Sequence, residues 1–495
     1  MPTKKSAIYR TDLLPHRMNA GKELKVRALL SVWRRVAGDQ AREQWRLIFT
    51  TGRPSKRHDV SRTGYDVLGT SYGQMVRWQV VGQIESWLSN RSNEFRELVN
   101  GSNLDPAVKH QLHFINKWQA WYDPKTLTMR DGAPIPLETR RIARLIMRRL
   151  LAKNRKPNMR RANMVIDQRC IHLTPVSRAS AFPLWARLST IEKGKRIDVP
   201  LITYDHFEER QGKRALSVQI VERDGKLTFG VMTDVAESFE ASRATYRPRI
   251  EAIALDLGLK TLFATDRGDL LGQGWLDRLR RHDARITKLA AYRQRQGMKT
   301  RSERYKRYVA AIRGFIRSEI GRILNRLVET RAPAEIVIER LNFRNPALSR
   351  RLNRILSKFG KNEVARKLKD LNERFGTEIT EVNPAYSSQE HDCGYVDTRN
   401  RQRQAHFHCR WCNSTRHADV NAAQNLLRRR SDAAIGDPRR PKQAILSELV
   451  RRFAERYHRP LARSPDPRLS NPYFKDWKAT VMSSAFGLNP TSDCK

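Results

Sequence analysis

Residues 250–274 read IEAIALDLGLKTLFATDRGDLLGQG. Its first part is an apolar run of strand length that ends in Asp256, and LKTLFATDRGDLLGQG continues as strand, turn, strand. A long basic helical segment follows from about Leu276 to Thr330, broken near Gly297. APAEIVIERLN (332–342) is a further strand ending in Glu339, and after another helix GTEITEVNP (376–384) is a third. DVNAAQNLLRRR (419–430) then begins a helix at or near Asp419. Strands alternating with helices define an α/β domain.

The preceding half of the chain has a different texture. Met164 to about Glu240 breaks into short alternating runs, and Asp224-Gly225 between two of them is a β-hairpin signal. This predicts a small antiparallel β-domain to which residues 1–20 add a strand. Residues 71–156 have helical periodicity, so the helical block is an insertion in that β-domain. In LETRRIARLIMRRLLAKNRK (137–156), Ile142, Leu145, Ile146 and Leu150 repeat at helical spacing, while Arg141, Arg144 and Arg148 share the opposite side. Those arginines are candidate nucleic-acid contacts, and a solvated charged face is the competing reading. The residues after about 433 are rich in Pro, Arg and Ser and read as a basic tail with one helix, QAILSELVRRFAERYH (443–458).

The 495 residues suffice for several domains without disulfide support. Ninety-six Lys and Arg face 51 Asp and Glu, a formal net charge of +45 that attracts polyanions strongly. The basic residues are spread along the chain, and Trp33, Trp45, Trp78, Trp87, Trp118 and Trp121 lie among them, unlike a disordered basic arm. Nucleic acid contacting several domains is the expected partner. No apolar run approaches a membrane span and MPTKKSAIYR lacks a signal-peptide core, so a cytoplasmic, nucleoid-associated protein with no membrane partner is expected.

Asp256, Glu339 and Asp419 each sit beside apolar residues at an element end. If they converge, a divalent cation must offset their repulsion, and hard oxygen ligands with open positions suit Mg²⁺ or Mn²⁺ bound jointly to phosphate oxygens. Three of the five cysteines lie in AYSSQEHDCGYVDTRNRQRQAHFHCRWCNSTRHADVNAAQN (385–425), which suggests metal binding rather than a disulfide framework. Cys170 and Cys494 stand alone and read as structural.

Together IALDLGLKTLFATDRG, IVIERLN, VNPAYSSQ…CG, CRWC and HADVNAAQN resemble the RuvC nuclease domain and zinc-finger insertion of TnpB proteins and of the compact type V CRISPR effectors related to them. The resemblance covers about residues 250–430. It implies a bilobed α/β multidomain architecture. An antiparallel β wedge domain (1–60 and 161–247) would carry a helical recognition insertion (61–160). An RNase H-like RuvC domain (248–384 and 417–432) would hold a zinc-finger-like insertion (385–416), with a tail over 433–495. It further implies an RNA-guided mechanism in which a guide RNA, from a CRISPR array or a transposon, pairs with target double-stranded DNA while the protein holds the heteroduplex by its backbone and reads a short flanking motif. In the family the acids that bind catalytic metal ions match Asp256, Glu339 and Asp419. Lys260 and Asn421 fall at other recurrent positions.

The family's finger has two CxxC pairs, whereas here Cys409 and Cys412 are intact and Cys393 faces Glu390 at the partner position. Zn²⁺ needs a fourth ligand. His391 is the favoured one, by a one-residue slip in the loop. The competing readings are completion by His406 or His408, or a loop that has lost zinc and keeps Cys393 as a small buried hydrophobe. Glu390 is a poor partner for three thiolates. Functionally, an RNA-guided, metal-dependent DNA endonuclease acting in antiviral defence or in a transposon is expected. A guide-directed binder that silences or recruits without cutting is the alternative, and a transposase is disfavoured because the insertion before the last acid resembles TnpB.

Overall fold

The computed structural model describes residues 7–57, 62–123, 127–129, 131–176, 181–340, 348–403, 405–463 and 471–474. The chain divides into two compact units, Met1–Ser238 and Phe239–Lys495. Cys494 lies outside the described residues.

In the first unit, strand β1 (Tyr9–Leu14) leads into α1 (Ala20–Thr51), whose first turn is capped by the Asn19 side chain accepting from the Lys22 amide. Helices α2 (Tyr65–Asn100), α3 (Pro106–Lys117) and α4 (Leu137–Lys153) follow. The chain then enters β2 (Met164–Ile166), β3 (Ile171–Pro175), β4 (Leu184–Ser189), β5 (Arg196–Leu201), a single turn α5 (Asp205–Glu208), β6 (Lys213–Arg223) and β7 (Lys226–Asp234). One antiparallel sheet has the order β1-β7-β6-β2 and a second the order β3-β4-β5. The expected N-terminal strand is thus β1, seated on β7, and the helical block interrupts the β-region. Asp224 and Gly225 join β6 to β7 at φ 49° and 76°, the two positive values that a type I′ turn requires.

In α4 the buried positions are Thr139, Ala143, Met147 and Leu150. Ile142 and Ile146 pack partly against the core, but Leu145 is 62% exposed, one step beyond the face its spacing predicted. Arg141, Arg144 and Arg148 are all exposed, Arg144 with its Nε 3.4 Å from the Trp121 carbonyl.

The second unit opens with α6 (Ala236–Thr245), which begins just before the division, and then β8 (Ile250–Leu257), β9 (Phe263–Thr265) and β10 (Leu270–Leu271). Helices α7 (Trp275–Arg295) and α8 (Glu303–Arg331) flank Gly297, whose φ of 63° breaks the long basic segment. Strand β11 (Pro333–Glu339) follows. Helix α9 (Arg350–Ile355) runs through a π-turn into α10 (Lys361–Phe375), and β12 (Glu378–Val382) completes the sheet. Its order is β10-β9-β8-β11-β12, with β8, β11 and β12 parallel and β9 and β10 antiparallel. After the cysteine stretch, with its ribbon β13 (His406–His408) and β14 (Thr415–His417), come α11 (Ala418–Arg429), α12 (Ala433–Gly436) and α13 (Lys442–Arg463).

Helices cover both sheet faces. Ile253, Leu255, Ile336 and Ile338 pack toward α7, α8 and α10, while Ala254, Val337 and Val382 meet Leu426 of α11. Burial on both faces accounts for the near-continuous apolar runs in β8 and β11. The segment expected to trail as a tail instead contributes core: Ile445, Leu449, Val450 and Phe453 of α13 pack with Tyr395, Phe407 and Phe474. Trp411 crosses Phe453 edge-on at 4.9 Å, so α13 is tied to the cysteine stretch by aromatic packing.

Candidate active site and metal centre

Side chains alternate across a strand, so Asp256 shares the sheet face of Ala254, and Glu339 that of Val337. This is the face α11 covers. Ile338 pairs with Leu255 in parallel register, so the next residues, Glu339 and Asp256, lie side by side on adjacent strands. Asp419, in the first turn of α11, arrives from above. Its Oδ2 would lie 3.7 Å from a Cβ placed on Gly258, and the Thr261 carbonyl only 2.4 Å, so glycine is required at the strand end. All three acids are brought together. Lys260 is exposed.

Asp256 and Asp419 are buried, and Glu339 is half-buried. Burial, with the charges of Glu339 and Asp419 adding to it, raises Asp256 well above the ordinary carboxylate range. Burial likewise pushes Glu339 up to about 7, against the opposing pull of the Leu257 amide and Arg401. Among the described residues one cation enters this cluster: Arg401 donates from Nη2 to Asp419 Oδ1 at 2.6 Å. Sequence reasoning missed Arg401. Its neighbour Arg399 turns instead to the buried Asp397, Nη2 to Oδ2 at 2.7 Å, and nothing in RNRQR distinguishes the two. The chemistry of the acids fits a divalent cation, because two buried carboxylates and a half-buried one, with one guanidinium among the described residues, remain short of positive charge.

The second centre is the cysteine stretch. His391, Cys393, Cys409 and Cys412 place one donor atom each within 4.8 Å of one another. His391 Nδ1 lies 3.4 Å from Cys393 Sγ and 3.3 Å from Cys412 Sγ, and the Cys393 and Cys409 sulfurs are 3.7 Å apart. Tetrahedral zinc with ordinary Zn–S and Zn–N bonds requires ligand-to-ligand edges of about 3.5–3.8 Å, so the donor set fits. Cys409 is pulled far down by hydrogen bonding from Cys393, aided by His391, and Cys393 rises correspondingly. His406 and His408 lie on β13 outside this group.

Glu390, at the position of the absent thiolate, is engaged elsewhere. It is buried and accepts from Arg429 Nη2 at 2.6 Å, a guanidinium 1% exposed whose Nη1 also donates to the Asn383 and Ala385 carbonyls. Asn421 and Asn425 donate to the Glu390 carbonyl at 2.8 and 2.7 Å. Helix α11 therefore carries Asp419 at one end and, along its length, grips the loop that leads to His391 and Cys393. Cys170 is buried in the first unit, and its thiol is pushed up to about 11 by burial.

Comparison with known proteins finds a match across the second of these centres. The family model of the Cas12f1-like TNB domain matches residues 362–426. The matched segment runs from α10 through β12 and the cysteine stretch into α11, so similarity to the Cas12f1-like TNB domain is established for that part of the chain. The CRISPR-associated endodeoxyribonuclease Cas12f1 of Sulfoacidibacillus thermotolerans is 38% identical over 66 residues, 13% of this chain and 16% of that protein. The matched part thus spans about a sixth of the curated relative's length. Among solved structures, the Cas12f1–sgRNA–target DNA complex is similar at TM-score 0.38 and 14% identity, covering 85% of this chain and 98% of that one. The AacC2c1–sgRNA binary complex reaches TM-score 0.48 at 9% identity, covering 85% and 89%. No helix among the described residues is long and apolar enough to cross a membrane.

Proposed function

We propose that this protein is an RNA-guided DNA endonuclease whose second unit is a RuvC-type nuclease domain with a zinc knuckle inserted before its last acid. The observation that carries the reading is the convergence of Asp256, Glu339 and Asp419 on one sheet face beside Arg401. The sheet, two antiparallel edge strands leading into three parallel ones, supports the RNase H-like assignment.

In this reading the three carboxylates hold Mg²⁺ or Mn²⁺. The bound ions would activate water on one side of a phosphodiester and stabilise the leaving oxygen on the other. Arg401 is placed to balance carboxylate charge and to meet a phosphate oxygen of the substrate strand. His391, Cys393, Cys409 and Cys412 would hold Zn²⁺ structurally, fixing the loop that delivers Arg401. The +45 charge suits retention of an RNA–DNA heteroduplex by its phosphates, and Arg141, Arg144 and Arg148 offer one such exposed row. The protein would work in the cytoplasm of a prokaryotic cell, against target double-stranded DNA.

The test combines purified protein, its co-expressed RNA and a target plasmid in Mg²⁺. Nicked or linear product that is lost in Asp256→Ala is expected. Target-dependent retention of undamaged plasmid would reject cutting in favour of guided binding alone.

A further inference from the structure

Two clefts of the first unit meet on α1. Of the α1 residues that line them, Arg27, Arg34, Gly38, Arg42 and Trp45 recur at three-, four- and seven-residue steps and so share one helix face, with Arg35 beside it. One cleft, of about 480 Å³, is walled by arginines of α1 together with Arg160 and Glu222. The other, of about 460 Å³, is lined by Trp45, Ile84, Pro157 and Met159 and is largely apolar. Gly38, Arg42 and Arg160 border both, which makes them halves of one site.

Charge in the first half is unevenly committed. Arg27 and Arg34 are held by Glu222 at 2.7 and 2.6 Å, and Arg42 by Asp39 at 2.5 Å. Arg35 and Arg160 have no acidic partner among the described residues, and both are exposed at the cleft. In the second half the Trp45 ring is braced edge-on by Trp87 at 5.3 Å and Phe49 at 5.9 Å. Over the ring lies Lys156, its Nζ 4.2 Å from the ring centre. An exposed lysine over an indole is a weaker contact than a stacked base, so a planar ligand displaces it.

Gly38 lies where the halves join, in the interior of a 32-residue helix, where glycine is destabilising. Neither packing nor backbone explains it, because a Cβ there would meet nothing within 4 Å. A bulkier side chain there would project into the space where the two clefts join.

We propose that this paired cleft binds a single unpaired nucleotide of a bound nucleic acid, phosphate against Arg35 and Arg160 and base on the face of Trp45. A cationic half joined to an aromatic half matches a nucleotide's own division, and a base held in a duplex cannot reach the indole. The proposal rests on the nucleic-acid part of the function above and on no cleavage step.

The test measures binding of the full chain, at fixed salt, to labelled oligouridylate RNA, to oligothymidylate DNA and to an abasic oligomer of equal length and charge. The base-bearing oligomers are expected to bind about 5- to 150-fold tighter than the abasic one. The preference of the RNA or the DNA arm assigns the sugar. Trp45→Leu and Gly38→Leu should each erase this difference. Because Gly38→Leu improves helix propensity in open space, its thermal midpoint should hold or rise by a few degrees. Equal binding of abasic and base-bearing oligomers by the wild type, or a difference that survives both variants, would overturn the proposal. Copurification of RNA with the wild type is scored separately and bears on the RNA-guided reading alone.

Discussion

Raising the pH in chelator from about 5 to about 8 should loosen the acid-bearing strands, since it forces charge into a buried carboxylate cluster. Glu339 stands at about 7 against an ordinary value of 4.5. A carboxyl raised on folding keeps its proton better in the folded chain than in the unfolded one. Its effect on stability is therefore absent below the unfolded value and grows as a penalty while pH rises through the folded value. The shift corresponds to about 3 kcal/mol for Glu339, with Asp256 adding to it in the same direction. Hydrogen exchange of β8 and β11 peptides, corrected for intrinsic rates, reads this locally. Protection should fall on the order of 100-fold over that range where exchange follows unfolding of the second unit. Mg²⁺ should restore it, and the double variant Asp256→Asn/Glu339→Gln should flatten the profile in chelator. Protection independent of pH in the wild type, or an undiminished slope in the double variant, would refute the reasoning.

Further outcomes follow from the two centres. Zinc should copurify at about one per chain, and His391→Ala should weaken it at least about tenfold in a competition titration while His391→Cys retains it. Glu390→Cys should not rescue zinc in the His391→Ala background, because position 390 faces Arg429. Glu390→Ala strands that buried guanidinium and should cost about 3–5 kcal/mol, read as a lowered urea midpoint for the second unit. If the nuclease reading holds, Arg401→Ala should slow single-turnover plasmid nicking about 10²-fold or more, with Arg401→Lys intermediate.

The acids were legible because strand alternation and burial leave a mark on sequence: Asp256 and Glu339 close apolar runs, and the parity that places Ala254 and Val337 under α11 places them there too. The demand of a tetrahedral ion singles out His391, which lies beside the three thiols, and its one-residue offset from the CxxC pattern follows from the pairing of Glu390 with Arg429. Arg401 was not legible. It lies in a loop among other arginines, and its partner is decided by how the knuckle folds back over α11. The packing of α13 was hidden for a related reason. Its apolar stripe was visible, but the aromatic cluster of Tyr395, Trp411 and Phe474 that receives it comes from separate segments. Leu145 shows the limit of periodicity alone, since a stripe repeated at three and four residues is wide enough to place one member in solvent.

The 2.6 Å contact between Arg401 and Asp419 sets terms for anything that enters the acid cluster. A soluble cation there meets a competitor that is part of the chain and never diffuses away, so occupancy depends on displacing or sharing with a tethered charge. A nucleic-acid phosphate that draws the guanidinium off Asp419 would free an oxygen for the metal at the moment substrate arrives. Metal affinity would then be measured low in the free protein and high in the complex.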